Sequence, residues 1–153
     1  MEHLTWINAT PVSALLASGA MRYLIALLAV IGVTVSALAL HVHYSTDTAP
    51  CSINEKWDCG VVNHSPFAEI GHVPVAAIGI AGYLLLAGMA LLRQRTALVA
   101  LSFVALGFSL YLTRIEKYVL EVWCLYCVIS LGVISAMTLL SLAWSFAPAK
   151  QRA

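Results

Sequence analysis

Charge is scarce in this sequence. Asp, Glu, Lys and Arg make up 10% of its 153 residues, where soluble proteins carry about a quarter. The formal net charge is only +1, which excludes a strongly basic nucleic-acid binder and an acidic solvating tail. Internal repeats and low-complexity tracts are absent, and so is the basic start of a secretory signal peptide. Cysteine is confined to four positions, all between residues 51 and 127. What fills the chain instead is apolar: 61% of residues are hydrophobic and the mean hydropathy is +0.91. A soluble domain of this length has no interior large enough to hide that surface, so a bilayer must receive it.

Four stretches approach or exceed the ~20 apolar residues that a helix needs to cross the hydrocarbon core. They run over about 21–44, 74–92, 96–118 and 124–147. The sequence therefore predicts an all-α integral membrane protein, a four-transmembrane-helix bundle over 21–147 with a long extracytoplasmic loop between helices 1 and 2. Residues 1–20 read as an N-terminal leader or interfacial segment, and 148–153 as a cytoplasmic tail. Asn8-Ala9-Thr10 matches a glycosylation pattern common by chance and carries no weight.

Alternating helices place Arg22, Arg93, Arg95, Lys150 and Arg152 on one side and Lys56, Arg114 and Lys117 on the other. The richer side is expected to be cytoplasmic. The connection over 45–73 then lies outside, with Cys51 and Cys59, and so does the junction that carries Cys124 and Cys127. All four cysteines share one membrane face, where disulfides form and persist. Such a long connection is rarely featureless. Val61, Val62, Phe67, Ile70 and Val73 predict a short amphipathic segment lying on the bilayer surface, with Gly71 and Pro74 turning the chain into helix 2.

Cys124-Leu125-Tyr126-Cys127 is a Cys-x-x-Cys motif opening an apolar helix. Thiol–disulfide exchange needs a thiolate, and a helix N-terminus stabilises one at Cys124. Cys127 lies a turn deeper on the same face, within reach of a lipid-soluble acceptor. Two other readings stand beside this one: a structural disulfide, and a zinc site completed by Cys51 and Cys59 or by His64 and His72. The seven residues between Cys51 and Cys59 exceed the usual spacing of zinc ligands and suit a flexible, solvent-facing dithiol, so no metal site is assigned. Trp57, between them, reads as an interfacial anchor or a partner contact.

In this order the motifs resemble the vitamin K epoxide reductase family, including its bacterial quinone-dependent homologues. The likeness covers about Met21 to Ala147. It rests on Cys51-x7-Cys59, on Cys59-Gly-Val-Val-Asn-His-Ser65 leading to Gly71-His-Val-Pro74-Val-Ala-Ala-Ile-Gly79, and on Cys124-x-x-Cys127. The resemblance implies a bundle around a quinone (ubiquinone, menaquinone or vitamin K type), with Cys127 beside the ring. Cys124 exchanges with Cys59, and Cys51 meets the thiols of a thioredoxin-like periplasmic protein. The setting implied is a bacterial inner membrane with the cysteines on the periplasmic side. Ser65 matches a family position near the active site, although a turn role beside Pro66 explains it equally well. Tyr83, Phe108 and Tyr111 are candidate walls of the quinone pocket; bundle core is the competing reading for each.

Val75 and Leu131 stand where the vertebrate epoxide-reducing enzymes carry Asn and Tyr. Quinone-dependent disulfide formation is therefore favoured over vitamin K epoxide reduction, with a non-enzymatic protein held by structural disulfides or zinc as the remaining alternative. Many bacterial relatives carry a fused thioredoxin-like domain; here the chain ends soon after its fourth helix, so a separate redox partner is expected. His41, His43, His64 and His72 read as interfacial or loop residues. Arg114, Glu116, Lys117 and Glu121 read as a solvated charged rim. Gly79, Gly82, Gly107 and Gly132 read as sites of close helix packing.

Overall fold

A computed structural model describes residues 19–47 and 51–147. The glycosylation-like match, nearly all of the leader, Lys150 and Arg152 lie outside the described residues. Five helices are described: α1 (Ala20–Tyr44), α2 (Cys59–Asn63), α3 (Val75–Leu91), α4 (Arg95–Ile115) and α5 (Leu125–Phe146). A π-helical turn over Glu116–Leu120 prolongs α4. The four long helices fall where the sequence places them. α1, α4 with its extension, and α5 are long and apolar enough to cross a membrane, and α3 is a shorter apolar helix of 17 residues. At 1.5 Å per residue α3 is about 26 Å long, at the lower limit for a spanning helix.

The helices close into a ring. α1 packs on α3 and α5, and α4 packs on α3 and α5. Ile25, Leu86, Leu98 and Met137 fill the centre, whereas Leu27, Val30, Leu84, Leu85, Val104 and Leu139 are each more than half exposed. In water each such side chain would forgo about 1.5–3 kcal/mol of burial; against lipid it forgoes nothing. Helix association then depends on close approach and polar contacts. A Cβ on Gly32 would collide with the Tyr83 ring, and one on Gly79 would stand 2.9 Å from the Ser36 hydroxyl. Gly79 is thus a packing glycine as expected. Gly82, Gly107 and Gly132 are not, since a Cβ on each meets open space. Between α4 and α5 the buried hydroxyls of Ser102 and Ser141 lie 3.1 Å apart, and Thr138 donates to the Ser102 carbonyl.

One end of the ring is closed tightly. At the end of α3 the Gln94 N–H donates to the Met89 carbonyl and the Arg93 N–H to that of Ala90, the paired bonds of a Schellman stop. Arg93 takes the left-handed conformation this stop requires, with φ 59°. Arg95 then donates to the Trp144 and Ala147 carbonyls at 3.1 and 2.9 Å, which satisfies the end of α5 and sets a cation where the helix dipole favours one.

The opposite end is covered by the connection between α1 and α3. Residues 61–73 do not form the single amphipathic segment expected. Pro66 and Gly71 divide them into the end of α2, a 3₁₀ turn (Pro66–Ala68), and a minimal hairpin pairing β1 (Glu69–Ile70) with β2 (Val73–Pro74). Gly71 and His72 both have positive φ, 58° and 67°, as a two-residue type I′ hairpin turn demands.

Candidate functional site

Three of the four cysteines meet beneath this cover. The sulfurs of Cys51, Cys59 and Cys124 all lie within 4.8 Å of one another. Cys51 and Cys59 are joined as a disulfide with their Cα atoms 5.5 Å apart. Cys124 and Cys127 are free thiols, and the Cys124 sulfur stands 3.2 Å from that of Cys59. A solvent-facing Cys51–Cys59 loop was expected from its polar sequence. Instead Cys51 is 1% exposed and Cys59 and Cys124 are fully buried.

The reason lies in backbone contacts that no local pattern announces. Trp57 forms a parallel bridge with Trp123: the Asp58 N–H donates to the Trp123 carbonyl at 3.1 Å, and the Trp123 N–H to that of Lys56 at 2.8 Å. Their indoles lie 6.2 Å apart. Trp57, read as an anchor or partner contact, is in fact a fastener between the loop and the Cys-x-x-Cys segment. Asp58 secures the other side. Its carboxylate caps α2 by accepting from the Gly60 and Val61 N–H groups and also accepts from the Ser52 hydroxyl at 2.6 Å. The Ser52 bond, aided by those N–H groups against partial burial, holds the Asp58 carboxyl below its usual range. An Asp directly before a short helix is a readable cap signal, and it was missed.

Cys124 occupies the N-cap position of α5 and Cys127 its first turn. A hydrogen bond from Cys127 holds the Cys124 thiol below its usual range; burial opposes this, Tyr126 and Cys127 N–H groups assist, and the charge of Glu116 opposes. Glu116 is the main departure from the sequence reading. Rather than joining a solvated rim, it is 2% exposed. Its carboxylate accepts from the Cys124 N–H at 3.1 Å and interacts electrostatically with Cys127. The π-turn causes this: the Glu116 carbonyl receives the Val122 N–H, and Glu121 bends the chain back with φ 55°. Arg114, Lys117 and Glu121 are exposed as expected. A lone acid near the end of an apolar span was the available signal.

The sequence model of the vitamin K epoxide reductase family matches residues 23–142. The chain belongs to the vitamin K epoxide reductase family. Its members are membrane-bound oxidoreductases, generally associated with quinones and typically working with a thioredoxin-like partner. Comparison with individually curated proteins yields no match. The cysteine cluster with its disulfide therefore belongs to a redox protein.

Beside the cluster this family member has a cavity of about 370 Å³ lined by residues of all four long helices, within the range of small-molecule sites. Tyr83 and Phe108 line it, as do Cys127, Asn63, Ser65 and Glu116. Tyr111 does not: it is 58% exposed on the outer side of α4. The Tyr83 hydroxyl is engaged by Ser130 at 2.8 Å. The Ser65 hydroxyl donates to the Val62 carbonyl at 2.7 Å, so it faces the cavity as an acceptor. The buried Asn63 amide donates to the Cys59 carbonyl at 2.9 Å and points toward the Cys124 sulfur at 3.7 Å. His43 bonds the Asn63 carbonyl and Glu69, tying α1 to the cover. Neither His64 nor His72 joins the sulfur cluster.

Proposed function

We propose that the protein is a membrane thiol oxidoreductase that makes disulfides, passing electrons from a thioredoxin-like dithiol protein through Cys51/Cys59 and Cys124/Cys127 to a quinone. The observation that carries this reading is the 3.2 Å approach of the Cys59 and Cys124 sulfurs, which joins the two pairs at one point. A partner thiolate attacks Cys51, Cys59 departs with the electron pair, and the partner's second thiol completes its own disulfide. Cys59 then attacks Cys124 of an oxidised Cys124–Cys127 pair and Cys127 departs. Cys51 attacks Cys59, which restores the first disulfide and frees Cys124. A Cys51–Cys59 disulfide facing two free thiols is the arrangement that follows this exchange.

The cavity fits a quinone head group: its walls are largely apolar, and Asn63, Ser65 and Glu116 gather with Cys127 on its lining. A bound quinone supplies an acceptor for two electrons and two protons. Cys127 faces that acceptor, and Cys124 closes the resulting disulfide. Burial of Cys51 requires that the cover opens, or that its Trp57 and Asp58 fastenings loosen, when the partner arrives. The basic residues at the opposite end favour placing the cysteines outside the cytoplasm, consistent with a periplasmic partner.

Single-cysteine variants assayed for quinone reduction test the scheme. Cys127→Ala is expected to lose turnover with every donor. Cys51→Ala is expected to lose turnover with a dithiol protein and keep it with dithiothreitol, which bypasses the first pair. Wild-type rates in Cys127→Ala would refute the proposal.

A further inference from the structure

The Cys124–Cys127 pair must release two protons as it is oxidised, and the relay leaves their path open. Glu116 is placed to provide it. Glu116 is 2% exposed, lines the cavity together with Cys127, and its carboxylate accepts a hydrogen bond from the Cys124 N–H at 3.1 Å, at the turn that carries the Cys127 thiol. The titratable groups acting on it are these two cysteines. Among the described residues no cation forms a salt bridge with it. A buried acid with no cation beside it and a thiol against it is costly as mere structure and well suited to proton transfer.

We propose that Glu116 is the catalytic base that takes the Cys127 proton and delivers it to the acceptor oxygen in the cavity. The S–H bond of Cys127 breaks, its electron pair stays on sulfur, and the proton passes to the carboxylate. Two electrons leave for the acceptor as the Cys124–Cys127 bond forms. The Cys124 proton leaves before this bond closes, passing by way of the Cys127 sulfur to Glu116 once Glu116 has been emptied. This inference rests on the quinone reading for its acceptor, but not for the contact between acid and thiol.

Glu116→Gln is the informative variant, because the amide oxygen still accepts the Cys124 N–H while the charge and the basic site are lost. Two opposed effects are expected. Removing the nearby negative charge favours the Cys127 thiolate, so its alkylation profile, read by peptide mass spectrometry without quinone, moves to lower pH. Quinone reduction with dithiothreitol nevertheless falls about 100-fold. A rate within twofold of wild type overturns the proposal, and so does a lost rate with an unmoved alkylation profile.

If Glu116→Gln does not fold, the reduced wild-type protein carries the test through the infrared S–H stretch of Cys127, assigned against Cys127→Ala. That band is expected to shift as Glu116 ionises and the thiol begins to donate to a carboxylate. A band fixed through the whole carboxyl titration overturns the proposal. Failure of the wild-type protein to reduce any quinone refutes the functional reading instead, while alkylation and infrared spectra still judge the coupling of Glu116 with Cys127.

Discussion

The two ends of the bundle are fastened with different materials. At one end, a Schellman stop and Arg95 close α3, α4 and α5 with bonds to helix termini. These are ordinary hydrogen bonds whose strength does not depend on redox state. At the other end a disulfide, the Asp58 cap and a two-bond tryptophan bridge hold a folded cover over three sulfurs. In the proposed relay the central fastening is itself a reactant. Breaking the Cys51–Cys59 bond would then loosen the element that buries it, leaving one end shut and the other responsive to electrons.

Substitutions can break or sharpen this contrast. The largest effect is expected for Cys127→Ala, which removes the sulfur facing the cavity and lowers quinone reduction by more than about 100-fold in a steady-state assay. Gly32→Ala comes next. Its methyl collides with the Tyr83 ring, and overpacking of this kind costs about 1–3 kcal/mol, measurable as a lower melting temperature with weaker quinone binding.

Asp58→Ala acts on the cover alone. Loss of the α2 cap costs about 1 kcal/mol and is expected to speed alkylation of Cys124 while leaving the opposite end intact. The same carboxyl gives a pH signature. Because folding holds the Asp58 carboxyl below its ordinary value of 3.8, its stabilisation is present above that value and lost as pH falls through the lowered one. Cys124 alkylation in wild-type protein therefore shows an acid-induced rise relative to its thiolate content, absent in Asp58→Ala. The smallest effect is expected for Arg95→Met. It removes a cap and a cation–π contact with Trp144 at 4.9 Å, costs about 0.5–1 kcal/mol in thermal unfolding, and leaves relay rates unchanged.

The bundle was legible because apolar runs of membrane length leave few alternatives: all four long helices lie within a few residues of their expected limits. The cysteines were legible because their spacing is local. What escaped notice depends on contacts between segments distant in sequence. Nothing near Trp57 announces Trp123, and without that bridge the polar run from Ser52 to Asp58 reads as solvent-exposed. Glu116 was misread because its neighbours Arg114 and Lys117 are surface residues and only a π-turn rotates it inward. Tyr83, Phe108 and Tyr111 illustrate the limit of composition, which selects aromatics but not the face they occupy.

The central claim is that the two cysteine pairs communicate through Cys59 and Cys124. Its most direct measurement is peptide mapping of the Cys51→Ala/Cys127→Ala double variant after mild oxidation in the membrane. The account predicts near-complete conversion to an intramolecular Cys59–Cys124 disulfide, because these sulfurs already lie 3.2 Å apart. Two thiols that stay free, or that link only between separate molecules, would contradict it.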